Sequence, residues 1–163
     1  MSPSVIYDFQ KDISTTNWRV VDDRVMGGLS QGKLKVDDDG HGVYSGTVST
    51  KNNGGFSSLR YRFSTMEVSK NQSIVLRIKG DGKKYQFRVK DKLNQYHSYI
   101  YNFQTSGEWQ TLEIPLAKMY PSFRGRKLNI PNFEHSQIEE IAFLIGNKKA
   151  ESFELKIDKI EVE

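Results

Sequence analysis

The 163-residue chain is long enough to bury one core without metal or disulfide staples and reads as a single domain, residues 1–163. Hydrophobic residues at 36%, aromatics at 12% and charged residues at 27% exclude disorder and membrane insertion. The absence of cysteine excludes disulfides, thiolate metal sites and a thiol nucleophile. The net charge of +4 suits an acidic partner but is small for nucleic acid, which is not expected.

Met1 to Gln10 holds no basic stretch followed by a long apolar run, so no signal or anchor is expected and the chain reads as cytoplasmic. The next segment is Trp18-Arg19-Val20-Val21-Asp22-Asp23-Arg24-Val25-Met26-Gly27-Gly28-Leu29-Ser30, where carboxylates, an arginine and paired glycines crowd into a stretch without periodicity. One reading has Asp22 or Asp23 accepting backbone N–H bonds in a turn, with Trp18 plugging the core. A second places Asp23, Arg24, Met26, Gly27, Gly28 and Ser30 at the rim of a binding cleft, where glycines let a partner approach the backbone. The two are compatible.

Val43 to Ser49 alternates as a strand. Asn52-Asn53-Gly54-Gly55-Phe56 then gives a bulged turn or, functionally, a second rim element made of Asn53, Gly54, Gly55 and Phe56. A phosphate cradle is not expected, because neither Gly-Gly step sits between a strand and a helix and no GxGxxG occurs. Ser73 to Lys79 and Lys84 to Lys90 read as strands of a β-hairpin closed by Gly80-Asp81-Gly82. In the second, Tyr85, Phe87 and Val89 face the core, so the cations Arg77, Lys79, Lys83, Lys84, Arg88, Lys90 and Lys92 remain outside as a solvated surface. Ser98 to Thr105, Gln110 to Pro115, Ile138 to Ile145 and Ser152 to Val162 complete the strands. Lys118 to Gln137, with Pro121, Gly125 and Pro131, predicts a long loop. This is an all-β sandwich pattern.

Catalysis finds little support. His41, His97 and His135 stand far apart in the chain and form no HExxH-type pair. Asp22 or Asp23 with Glu108 or Glu113 would be the only candidate glycosidase pair. No cofactor and no metal are expected, calcium held by Asp8 and Asp158 being the one weak alternative.

Trp18 with Asp23, Val25-Met26-Gly27-Gly28 and Ser30, Asn53-Gly54-Gly55-Phe56, Gly80-Asp81-Gly82 before Tyr85, Trp109 with Ile114-Pro115, and Phe123-Arg124-Gly125-Arg126 resemble, in order, the complex I intermediate-associated protein 30 family. The resemblance implies a jelly-roll β-sandwich like the galactose-binding and carbohydrate-binding modules, no catalysis, and a role as an assembly or chaperone-like factor for a respiratory or other membrane complex. Its expected contact surface joins Arg124, Gly125 and Arg126 to the Asp23 to Ser30 segment. The alternative is a glycan binder offering Tyr96, Tyr99, Tyr101 and Trp109 to sugar rings.

Overall fold

Period-two burial governs most of the chain: along Lys84–Lys90 the side chains of Tyr85, Phe87 and Val89 are buried while their neighbours are only half-covered or exposed. A strand with one apolar side must lay it against another sheet. The computed structural model describes residues 4–23 and 27–163, within which the chain forms the expected all-β jelly-roll sandwich. Its strands are β1 (Ser4–Asp8), β2 (Trp18–Asp22), β3 (Gln31–Val36), β4 (Gly42–Val48), β5 (Ser57–Glu67), β6 (Ser73–Lys79) and β7 (Lys84–Lys90). There follow β8 (Ser98–Gln104), β9 (Trp109–Pro115), β10 (Tyr120–Phe123), β11 (Arg126–Lys127), β12 (Gln137–Ile145) and β13 (Glu151–Val162).

The six-stranded sheet runs β3-β4-β13-β6-β9, with β1 beside the second half of β13. The seven-stranded sheet runs β11-β10-β8-β7-β12-β5-β2. Ile74, Leu76 and Ile78 of β6, with Leu155 and Ile157 of β13, meet Phe87, Leu59 and Phe143 of the other layer in one continuous core. An aromatic cluster closes it at one margin, where Trp18 stacks on Tyr61 at 4.9 Å between ring centroids and Tyr7 meets Trp18 edge-on at 5.1 Å. No helix of the described residues is long and apolar enough to cross a membrane.

The strands expected from alternation are all present, with ends displaced by at most one residue. Two local expectations are corrected. Gly80-Asp81-Gly82 does not close a hairpin: β6 pairs with β13 and β9, and β7 with β12 and β8, so the turn carries the chain from one sheet to the other. Glycine is required there because a Cβ on Gly80 would stand 2.1 Å from Cβ of Thr105. The turn is then held from outside itself, by the Glu154 N–H and Tyr85 hydroxyl donating to Asp81 at 2.8 and 3.0 Å. Lys118 to Gln137, expected as a loop, contains the β10–β11 hairpin, which extends the sheet at an edge where Pro121 is tolerated.

Gly80→Ala should lower stability by roughly 1–3 kcal/mol, because Thr105 is fixed by its own hydrogen bonds to the turn and cannot withdraw. Urea denaturation checks this, as a lower midpoint with an unchanged slope.

Candidate functional site

The two glycine-bearing segments do come together, but around a buried group. Asp23 follows β2 directly and is 1% exposed. Its carboxylate accepts the N–H of Ser30 at 2.9 Å, the Ser30 hydroxyl, and the N–H groups of Gly55 and Phe56 at 2.6 and 3.1 Å. The backbone joins in, with Gly28 N–H donating to the Asp23 carbonyl at 2.9 Å. Burial alone would raise the Asp23 pKa, but the donors from Ser30, Gly55 and Phe56 outweigh it and hold the carboxyl below its ordinary value. Gly28 and Gly54 are glycine because a Cβ on either would strike that carboxylate, at 2.4 and 2.6 Å.

Asp23, Gly28 and Ser30 are therefore inaccessible to a partner, which corrects their reading as rim residues. Gly27 is exposed, and Gly54, Gly55 and Phe56 are partly so. Arg24 and Met26 lie outside the described residues, as does the side chain of Asn53. The adjoining Asp22 is equally committed, accepting the Ser57 hydroxyl at 2.6 Å and the Gly32 N–H at 2.9 Å, while Tyr44 donates to Ser57 at 2.7 Å.

Arg124, Gly125 and Arg126 form the tip of the β10–β11 hairpin, with Arg124 over the Phe123 ring at 5.2 Å. They do not share a surface with the Asp23 junction. Register places Asp22 opposite Ser57, and Ser57 opposite Ile145, at one end of the seven-stranded sheet, whereas Ser122 lies opposite Ser98 at the other. The hairpin is also five strands away, about 24 Å at ~4.8 Å per strand. The exposed Tyr96 ring lies 6.3 Å from Phe123.

The outer face of the seven-stranded sheet is the site that sequence reasoning missed. Strand alternation and register set one row across it: Arg19, Arg60, Ala142, Arg88, Ile100, Tyr120. A neighbouring row is Arg62, Glu140, Lys90. On the other side lie Val21, Ser58, Leu144, Gln86 and Asn102. Ser58, Ile100, Ala142 and Leu144 are buried, a floor beneath the longer basic side chains.

Among the described residues only Arg62 of these cations has a carboxylate partner, Glu140 at 2.9 Å. Arg60 donates to Ser58 Oγ at 3.2 Å and Arg88 to Gln86 Oε1 at 2.7 and 3.0 Å, both neutral acceptors. Burial, then the Arg60 charge, pushes Arg88 down to about 10, still protonated at neutral pH. Burial also lowers Arg60 and Lys90, partly offset by Glu140.

The remaining candidates disperse. Asp8 accepts the Gln10 N–H at 2.9 Å and Asp158 faces His41 Nε2 at 3.5 Å, so each carboxylate has its own neighbour. The described residues that converge like metal ligands are instead Asp37, Asp39 and His41, where Lys156 already sits 3.4 Å from Asp37. Asp22 and Asp23 are tied up as above at the β3 edge, whereas Glu108 directly precedes and Glu113 lies on β9, at the opposite edge of the six-stranded sheet, so the glycosidase pair does not form. His97 and His135, distant in sequence, meet at the Tyr99 hydroxyl, 3.2 and 2.8 Å away. Tyr99 is nevertheless buried. Tyr101 packs on the core, and Trp109 is capped by His41 at 4.6 Å and Arg77 at 5.6 Å.

A family model described as Complex I intermediate-associated protein 30 matches residues 7–157. An uncharacterized protein of Schizosaccharomyces pombe is 30% identical, over 88% of this chain and 76% of its own length. The mitochondrial Complex I intermediate-associated protein 30 of Mus musculus is 24% identical over 97% of this chain, which spans 55% of that relative. Among solved structures, the family 11 carbohydrate-binding module of Clostridium thermocellum in complex with a β-1,3-1,4-mixed-linked tetrasaccharide superposes with a TM-score of 0.72 at 20% identity, covering 98% of this chain and 94% of the module. An agarase matches with a TM-score of 0.66 at 12% identity, over all of this chain (100%) and 24% of its own. At these identities the structural likeness shows the fold, that of carbohydrate-binding modules.

Asp23→Asn replaces an all-acceptor group with one that presents an NH2 to buried donors, and should cost about 2–4 kcal/mol in chemical denaturation. Because the folded pKa of Asp23 is depressed, its contribution is complete above the ordinary value of 3.8 and is lost as pH falls through the folded value. The acid limb of the stability curve should therefore flatten in the variant. Arg88→Met, which exchanges a half-buried cation lacking a carboxylate for an apolar chain of similar length, should leave the thermal midpoint unchanged or raised. A drop of several degrees by calorimetry would mean that Arg88 is structural.

Proposed function

We propose, from the premise that this chain belongs to the complex I intermediate-associated protein 30 family, that it is a non-catalytic docking domain which holds a protein partner. The partner would be of the kind handled by an assembly or chaperone-like factor for a respiratory or other membrane complex. The observation that carries the reading is the pair of half-buried arginines, Arg60 and Arg88, on the outer face of the seven-stranded sheet without carboxylates of their own. Desolvated cations are costly to keep and gain their full interaction when a partner supplies the acceptor.

The β10–β11 hairpin extends the same sheet, so Arg124 and Arg126 form its outer wall, with Lys127 over Tyr120 at 5.7 Å linking wall and floor. Phe123 and Tyr96 give this wall aromatic anchors of the type that dominate interface energies. A glycan binder remains the alternative because Tyr96 is 82% exposed and the fold is shared with sugar-binding modules. Against it, the aromatic residues of β7 and β8 point into the core, and Tyr120, the ring at the edge of the floor, is covered by Lys127.

Cytoplasmic action is part of the proposal. Fractionation that finds the chain in mitochondria would instead place it where the mouse relative is named.

Lysine-directed crosslinking in cells of the source organism should join a protein partner through Lys90 and Lys127, and Arg124→Ala with Arg126→Ala should weaken its recovery by roughly 1–3 kcal/mol of binding. Crosslinks confined to Lys33 and Lys35 on β3 of the other sheet, or glycan-array hits with no protein partner, would remove this reading.

A further inference from the structure

This inference rests on the outer face of the seven-stranded sheet being the docking surface. We propose that its occupant is an extended acidic segment of the partner polypeptide, with one carboxylate seated between Arg60 and Arg88 above Ala142.

The seat follows from register. Arg60 and Arg88 are both opposite Ala142, one from each side, so the two guanidinium-bearing strands are two steps apart, about 9–10 Å. The methyl group between them leaves the space above it to whatever the partner inserts. Guanidinium groups match carboxylates through paired N–H donors, and a carboxylate reaching both would take the place of the Ser58 and Gln86 oxygens that they now contact. Arg19 and Lys90 border the same seat without carboxylate partners among the described residues, so its cations outnumber the one neighbouring carboxylate, Glu140, which Arg62 already engages.

The face also continues in one direction. Beyond Arg88 along β7 come Gln86 and then Lys84, where Leu144, Gln86 and Asn102 line a cleft of about 280 Å3. It adjoins a larger one of about 530 Å3, whose lining includes Lys83, Lys84, Lys148 and Lys149 against a single carboxylate, Glu151. From Lys84 to Lys90 the strand covers about 20 Å at ~3.3 Å per residue, which is the reach of some six residues of extended peptide. Every second side chain of such a peptide points at the sheet, so alternate acids would meet the cationic cleft, the Arg60–Arg88 seat and Lys90 in turn.

Other polyanions fit less well. Nucleic acid single strands take much of their affinity from aromatic platforms, and Tyr85, Phe87, Tyr99 and Phe103 face the core, which leaves the row across this face with Tyr120 as its ring, itself covered by Lys127. The floor offers Ala142, Leu144 and Ile100, which suit aliphatic portions of peptide side chains.

The test uses the full chain and fluorescence anisotropy of a labelled (Glu-Thr)4 peptide, with (Gln-Thr)4, oligo-dT and a sulfated oligosaccharide as comparators. The glutamate peptide should bind at least tenfold more tightly than its glutamine counterpart. Arg60→Gln with Arg88→Gln should weaken it about tenfold, and Lys33→Gln with Lys35→Gln on the opposite sheet less than twofold. Ala142→Glu supplies a carboxylate to the seat from the chain itself and should abolish peptide binding while the melting temperature holds. Equal binding of the two peptides, undiminished binding to the arginine or Ala142 variants, or tighter binding of either non-peptide polyanion overturns the proposal. If partner crosslinks still map to Lys90 in that event, the docking face survives and only its acidic occupant is refuted; if they do not, the docking face fails as well.

Discussion

Neighbouring carboxylates on β2 and just beyond it hold the sandwich together where hydrophobic burial cannot. Asp22 and Asp23 stand on the edge strand of the seven-stranded sheet, yet their acceptors reach Gly32 of β3, Ser30, and through Ser57 the hydroxyl of Tyr44 on β4. Since β3 and β4 belong to the other sheet, these bonds tie the two layers at a margin where each is running out of partners. A buried carboxylate is stable only when its acceptor capacity is met, and here backbone N–H groups meet most of it. The glycines at 28 and 54 are the steric counterpart of that choice, surrendering side chains so that the loops close over Asp23.

Once those acids are spoken for, they are lost to the surface, and the charge balance of the seven-stranded sheet tips. Its outer face retains Arg19, Arg60, Arg88 and Lys90 with Glu140 already engaged by Arg62. The consequence is a division of labour between the ends of the charge scale: negative groups work inside as structural acceptors, and positive ones remain outside, partly dehydrated and available.

Alternation made β6, β7 and much of β13 readable, because each pairs an apolar side with a polar one, whereas β12 stood out as a nearly continuous apolar run buried on both faces. β2 was hidden because its residues Val20, Val21 and Asp22 are all half-buried at an edge and carry no period. β10 was hidden by Pro121 and Gly125, which mark turns locally but are accommodated at a sheet margin. The Asp23 junction was half legible: residue types announced a special segment and allowed a turn-capping carboxylate, but the bonds to Gly55 and Phe56 span more than thirty positions. The arginine row had no linear trace at all. Arg19, Arg60 and Arg88 lie some thirty to forty residues apart and meet only through cross-strand register. The visible basic run around Gly80 misled in the opposite sense, since the turn sends Arg77 and Lys79 to one sheet and Arg88 and Lys90 to the other.

β1 lies antiparallel to the closing half of β13, with Ser4 opposite Val162. Polypeptide entering through β1 and leaving through β13 therefore does so at a single corner of the molecule. Tension drawn between those two points loads the ladder from its end and opens rungs one after another, instead of shearing them together. Both strands belong to the six-stranded layer, so such tension acts there and not on the cationic sheet.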